Sequence, residues 1–414
     1  MYLSTVDRTH GGIGSKRQLV AVGGNVLALG AVSLLTDISS EMVAAILPLY
    51  LVAGLGLGPA VYGAVDGIYT GSTALLRLAG GYVADRIRRR KLVAGAGYAL
   101  SAVAKLGLLA AGSSVPGIGA AIVVDRSGKG LRTAPRDALI TLSAPPAQLG
   151  RAFGVHRAMD SVGAFAGPLV ALAVLAASGQ AFDAVFVTSS CVAAIGVVVL
   201  VLFVRDRRGD PAPRGTVTIR SAVALLAIGK VRLLVLGAAL MGLSTIGDGF
   251  VYLLLQRREN IAFGWFPLLA VGTSLAYLLL AVPAGVLADR AGRAPVFLGG
   301  YGALLAVYLL LASPWGGWPL LAVVLALYGC FYAATDGVLM ALAGPILPPA
   351  LRTTGLALVQ SGQAIAYLVS SMLFGLAWQW WGSAGAIRAA ALATVAAFAV
   401  TATILVRGKL AAAA

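Results

Sequence analysis

Charge is what this sequence has least of. Asp, Glu, Lys and Arg make up 11% of its 414 residues, against about 25% in an ordinary water-soluble domain. A chain so poor in charge lacks the polar surface to face water on all sides. Acidic groups are scarcer than basic ones, 15 against 31, leaving a formal net charge of +16. Cysteine is confined to Cys191 and Cys330, both inside apolar runs, so no disulfide framework is expected, and no metal-ligand spacing is present. No glycine-rich nucleotide-binding loop occurs, which argues against ATP drive, and no cofactor is expected. The first 22 residues hold Arg8, Lys16 and Arg17 but no short apolar core with a small-residue cleavage site. The first apolar segment is therefore expected to direct insertion by itself.

What the chain does have is apolar length. Hydrophobic residues are 59% of it and mean hydropathy is +0.92, the profile of a polytopic membrane protein. Crossing a bilayer takes about 20 apolar residues in a helix. Twelve such segments can be read, starting near Gly23, Ala60, Leu92, Gly117, Ala152, Ala181, Val231, Trp265, Pro295, Pro319, Thr353 and Ala384. Open strands cannot span lipid and barrel-type alternation is absent, so the segments are expected to be helices. The 53 glycines fit close helix packing in lipid. With an even helix count and both termini cytoplasmic, most Lys and Arg fall in cytoplasmic segments, while Arg257, Arg258 and Arg388 fall in outside loops. The positive surplus thus records topology and contact with anionic lipid headgroups, not nucleic-acid binding. Trp315, Trp318, Trp378, Trp380 and Trp381 cluster near expected outside helix ends as an interfacial belt.

The chain also repeats itself. Gly81-Tyr-Val-Ala-Asp85-Arg86 has an echo half a chain later in Gly285-Val-Leu-Ala-Asp289-Arg290-Ala-Gly292-Arg293, each closing an apolar run and opening a basic turn. Asp37 is matched by Asp248, and Arg151-Ala-Phe-Gly154 by Arg352-Thr-Thr-Gly355. The stretch from Arg205 to Arg220, rich in Pro, Gly and charge, reads as a linker between halves. Internal duplication of this kind marks many secondary transporters. The paired loop motif resembles the G-x-x-x-D-R-x-G-R-[RK] signature of the major facilitator superfamily, although Arg88 stands where glycine is usual. That resemblance implies an all-α membrane protein of twelve transmembrane helices in two pseudo-symmetric six-helix bundles. The expected parts are a cytoplasmic segment 1–22, bundles 23–204 and 231–406, a linker 205–230 and a tail 407–414. Gly81 and Gly285 are expected where helices approach closely. Asp85, Arg86, Asp289, Arg290 and Arg293 are expected in a gating network, as the resemblance implies.

The fourth segment breaks the apolar pattern with Asp125, Arg126, Lys129, Arg132, Arg136 and Asp137. A charge at mid-bilayer costs about 2.5–3.5 kcal/mol on the most lenient scale, so such residues must face a wet cavity or be neutralised. Asp125, Lys129 and Arg132 share a helical face, and Asp125–Lys129 can pair at i, i+4. Arg126-x-x-Lys129-Gly130 resembles the family's R-x-x-Q-G motif with Lys in place of Gln. The longer R-x-G-K-G-x-R-x-x-P-R-D-A run resembles a prokaryotic branch of the superfamily. Gly163-Ala-Phe-Ala-Gly167-Pro168 is similar to the family's G-x-x-x-G-P antiporter motif, and equally an ordinary helix-packing patch.

Asp37 and Glu41, one turn apart, repel if both ionise, so one is expected to hold a proton near neutral pH. Asp66 and Asp160 join them as proton-coupling candidates, though Asp66 with Arg77 also fits a plain structural ion pair. Arg126, Lys129, Arg132 and Arg157 are expected to meet an anionic or zwitterionic small-molecule substrate, with Tyr252, Tyr332 and Gln360 lining the cavity. His156, Asp160 and Ser161 do not make a catalytic triad, since they sit within six residues of one helix with no oxyanion hole in view. The expectation is a non-enzymatic, monomeric inner-membrane transporter working by alternating access. Proton-coupled antiport for efflux leads, with proton-coupled import of an organic anion as the alternative. A transporter-like receptor or membrane enzyme is a remote third.

Overall fold

The computed structural model describes residues 23–72, 89–145, 148–206, 224–348 and 351–407. Every regular element among them is a helix, with no strand. Nine helices among the described residues are long and apolar enough to cross a membrane. In chain order the helices are α1 (Gly24–Leu49), α2 (described over 59–72), α3 (Arg90–Ala111), α4 (Val115–Ser143), α5 (Leu149–Ala177) and α6 (Phe182–Phe203). They continue as α7 (Gly229–Leu243), α8 (Asp248–Arg258), α9 (Pro267–Ala291), α10 (Arg293–Ala312), α11 (Trp318–Ile346) and α12 (Arg352–Arg407). Local chemistry explains the boundaries. The Ser114 hydroxyl caps α4 by accepting from the Gly117 N–H, with Pro116 in the first turn where no backbone donor is missed. Gly292 takes φ 96° between α9 and α10, a conformation that side chains disfavour. Gly382 (φ 72°) divides α12 into two legs, which places Arg388 on a helix instead of in the expected loop.

The helices form two packing groups. In the first, α1 packs on α5 and α6, α3 packs on α4 and α6, and α2 joins them through Tyr69, whose ring lies under Arg126 of α4. In the second, α12 packs on α7 and α10, and α11 on α9 and α10. The groups meet where α5 touches α9, α1 touches α8, and α2 lies along α12. Polar glue within lipid-type packing is visible between α1 and α6. The Ser39 hydroxyl donates to the Ser189 carbonyl at 2.7 Å, and the Ser189 hydroxyl returns the bond to the Ser39 carbonyl at 2.6 Å.

Small residues set the closest approaches. A Cβ on Gly163 would lie 2.6 Å from the Leu34 carbonyl, and one on Gly167 would lie 2.6 Å from Glu41 Cβ, so α5 seats directly on α1. A Cβ on Gly63 would collide with the Ser371 carbonyl, and one on Gly375 would lie 2.5 Å from the Pro59 carbonyl, which joins the two groups along α2 and α12. Gly285 departs from expectation. A Cβ there would meet nothing within 4 Å.

The seventh apolar segment, expected to be continuous, is broken over residues 244–247 between α7 and α8. Tyr308 from α10 satisfies the interrupted backbone: its hydroxyl accepts from the Ile246 N–H at 3.0 Å and donates to the Ser244 carbonyl at 3.2 Å. Trp378 also departs from the expected aromatic belt. It is 6% exposed and packs against Phe250 and Phe374 under the Arg257 guanidinium, while Trp318, Trp380 and Trp381 stay exposed.

Two glycine substitutions separate these roles. Gly167→Ala should destabilise the protein by about 1–3 kcal/mol through overpacking against α1. Gly285→Ala should be neutral or stabilise by up to about 1 kcal/mol, since it only adds helix propensity. Thermal unfolding of the two purified variants checks this; equal melting temperatures would show that the α1–α5 contact yields freely.

Candidate functional site

The close crossing of α3 and α4 builds a buried ionic network. A Cβ on Gly128 would lie 2.5 Å from the Gly97 carbonyl, so the helices pass at backbone distance and bring Ser101 and Lys105 of α3 against α4. Asp125 bonds to Arg126 beside it and accepts from Lys105 Nζ at 3.3 Å, and Lys105 also donates to the Ser101 carbonyl at 3.0 Å. Arg132 donates to the Ser101 hydroxyl at 2.9 Å and stacks 4.7 Å from the Tyr98 ring centre. Arg126 stacks 3.8 Å from the centre of the Tyr69 ring. The expected Asp125–Lys129 pair does not form, because Lys105, absent from the sequence reading, takes its place. Lys129 is half-buried and makes no ion pair among the described residues.

Along the α1–α5 seam, Asp37 faces Gly163 and Glu41 faces Gly167. His156 Nε2 lies 3.5 Å from Asp160 one turn on, and Arg136 bonds Asp137 at 2.9 Å and the Ser33 hydroxyl at 3.3 Å. Arg157 is exposed on the same helix.

Between the two helix groups lies a cavity of about 370 Å³, within the range of about 300–1,000 Å³ usual for small-molecule sites. Glu41, Tyr62, Asp66, Tyr69 and Pro168 line it from the first group. Asp248, Tyr252, Tyr277, Tyr332, Asp336 and Tyr367 line it from the second. Asp66 accepts from the Ser371 hydroxyl of α12 at 2.6 Å, an interaction that crosses between groups, and from Tyr62 at 3.4 Å. Asp248 opens α8 directly after the helix break, where the helix N-terminus favours a negative charge. It accepts from the Tyr328 hydroxyl at 2.7 Å and from Tyr332. Asp66 lies against Gly247, beside Asp248, so the two carboxylates belong to one locus. The edge-to-face rings of Tyr62, Phe250 and Phe374, 4.7 and 4.8 Å apart in sequence, pack the groups together next to it.

The cavity unites several residues singled out from the sequence: Glu41, Asp66, Pro168, Tyr252 and Tyr332 line it. The four cations do not. Arg126 and Arg132 are buried in their own network, Lys129 is half-buried outside the cavity wall, and Arg157 is exposed. Gln360 is exposed on α12 and does not line the cavity. Asp289 and Arg290 are exposed at the end of α9, and Arg293 donates to the Ala341 carbonyl of α11 at 2.9 Å. Gly81, Asp85, Arg86 and Arg77 lie outside the described residues. Sequence reasoning missed Tyr62, Tyr69, Tyr277, Tyr328, Tyr367 and Ser371. Helical spacing could have found some of them: Tyr62, Asp66 and Tyr69 share one face, as do Tyr328, Tyr332 and Asp336.

Comparison with known proteins agrees with this architecture. The sequence pattern of the Major Facilitator Superfamily matches residues 29–268 and 259–412. An uncharacterised MFS-type transporter of Methanocaldococcus jannaschii is 31% identical over 363 residues, covering 86% of this chain and 88% of the relative. Among solved structures, the nucleoside transporter NupG superposes with a TM-score of 0.78 at 15% identity, over 92% of this chain and 99% of that one. A D-xylose–proton symporter superposes with a TM-score of 0.69 at 16% identity, over 92% and 96%. At such identities the structural likeness speaks for the fold alone, while the sequence matches speak for descent. This multi-pass membrane chain belongs to the Major Facilitator Superfamily of transporters.

Proposed function

We propose that the protein is a secondary active transporter that carries a small polar solute through the cavity between its helix groups by alternating access, coupled to protons. The observation that carries this reading is the cavity itself: about 370 Å³, lined from both groups and holding Glu41, Asp66, Asp248 and Asp336. Intramembrane carboxylates in a wet cavity are the usual elements of proton-driven transport. The broken α7–α8 segment supports the same reading, since interrupted helices line transport sites. In this reading twelve spans form two six-helix bundles, 23–204 and 231–406, joined by the linker 205–230. In the same reading both termini are cytoplasmic in the inner membrane, the protein works as a monomer, and the fourth-helix motif resembles that of a prokaryotic branch of the superfamily.

Asp37 and Glu41 stand one turn apart on α1, Glu41 lines the cavity, and Asp66 and Asp248 share one locus in its wall. A proton moving along α1 thus has a succession of carboxylates to occupy on its way to the cavity. Export by proton exchange is the direction this arrangement favours, because proton and solute then compete for the same cavity acids.

Two predictions follow from this reading. Glu41→Gln and Asp66→Asn should each abolish pH-gradient-driven accumulation in proteoliposomes, by at least about tenfold, yet permit solute exchange. Gradient-driven flux measured beside equilibrium exchange checks this, and normal uphill flux in both variants would place the coupling site elsewhere. The exposed Asp289 should matter to conformation more than to stability. Asp289→Asn should leave unfolding within about 1 kcal/mol of the parent while shifting paired-probe distances between the α9–α10 turn and the start of α3. An unchanged distance distribution would reduce Asp289 to a topology marker.

A further inference from the structure

The cavity has a sign, and it is opposite to the one the sequence suggests. Four carboxylates line it, and among the described residues no Lys, Arg or His does. None of the four belongs to an ion pair among the described residues. Arg126 of α4 lies beyond Tyr69, which borders both this cavity and a separate void of about 10 Å³ lined by Lys105, Asp125 and Arg126. Tyr69 therefore stands as a partition, with the Arg126 guanidinium stacked on its ring and the acidic cavity adjoining it.

The carboxylates keep acceptor capacity for a guest. Asp66 and Asp248 each receive two hydroxyl hydrogen bonds, and a carboxylate has about four acceptor positions. Glu41 and Asp336 receive no hydrogen bond from a described side chain. Six tyrosines, Tyr62, Tyr69, Tyr252, Tyr277, Tyr332 and Tyr367, share the wall with the acids, and the remaining lining residues are small, aliphatic or hydroxyl-bearing. Ring faces carry negative quadrupoles and attract cations, best of all when desolvated. The geometry does not suit a bare metal ion, since no three His, Cys, Asp or Glu side chains among the described residues converge on a metal-sized point.

We infer that the solute carried in this cavity is an organic cation: a small molecule with a protonated or quaternary nitrogen, held between the Asp66–Asp248 carboxylates and the surrounding tyrosine rings. This rests on the cavity being the transport site. The ammonium sits at the seam between helix groups, where Asp66 belongs to one group and Asp248 to the other. Binding therefore relieves the repulsion between those two acids and draws the groups together.

Three probes that share a ring and chain but differ in charge test this on purified full-length protein: phenylethylammonium, phenylethanol and phenylacetate. Binding is read by thermal shift and equilibrium titration, and transport by exchange in proteoliposomes. The cation should bind at least about tenfold more tightly than the neutral probe, and phenylacetate should not bind. Asp248→Asn should weaken the cation at least about tenfold while leaving phenylethanol unchanged. Because Asp248 anchors two tyrosines, Asp336→Asn provides a second variant that disturbs no described hydrogen bond; it should weaken the cation several-fold at the parent's melting temperature. Asp183→Asn, at the start of α6, should change neither. Equal binding of cation and neutral probe, preference for phenylacetate, or indifference to both cavity variants would overturn the inference. Exchange of phenylacetate or phenylethanol without exchange of the cation overturns the cation class but leaves the transport reading intact. Failure of all three to bind or exchange overturns both.

Discussion

A charged side chain at the middle of a bilayer costs about 2.5–3.5 kcal/mol even on the most lenient scale, and it must be met by a counter-charge, by hydroxyls or by water. This molecule uses each remedy in a different place. Behind α4, Asp125 is neutralised by Lys105 and Arg126, and Arg132 is satisfied by Ser101 and the Tyr98 ring. Around the cavity the remedy is hydroxyls and open volume: Ser371 and Tyr62 on Asp66, Tyr328 and Tyr332 on Asp248. The first solution makes a fixed strut, since removing one partner strands the others in a buried setting. The second leaves acids partly satisfied and able to accept something more.

The close-packed glycines decide which charges end in which environment. Gly97 and Gly128 let α3 and α4 cross at backbone distance, and only then does Lys105 reach Asp125. Gly163 and Gly167 seat α5 against the acid-bearing face of α1, while Gly63 and Gly375 join the helix groups beside Ser371 and Asp66. The two helix groups differ around this frame. One concentrates ionic residues on α4, whereas the other has tyrosines and a helix break completed by Tyr308.

The architecture was legible because hydrophobic length and repeated motifs are local signals. Described helices begin at Gly24, Arg90, Leu149, Phe182 and Trp318, each within a few residues of where the apolar runs placed them. The break before Asp248 was not legible, since Ser244-Thr-Ile-Gly247 differs little from a helical stretch and its backbone is satisfied by a tyrosine sixty residues on. The acids of the site were legible as rare charges in apolar runs. Their partners were not, because tyrosine suits a membrane core as well as a cavity wall. The cations misled for a related reason: rarity marks a charge as important without saying whether it faces an opening or a buried partner. Lys105 settles that question for Asp125, and it sits on another helix.

The seat of Gly167 against Glu41 has a consequence for how this acid meets water. The Cβ of Glu41 is hemmed by the α5 backbone, so the side chain has little freedom to swing about its first torsion. A carboxylate that cannot travel to solvent must wait for solvent to come to it. In the alternating-access cycle proposed above, its ionisation is timed by which mouth of the protein is open, and the glycine becomes part of the clock.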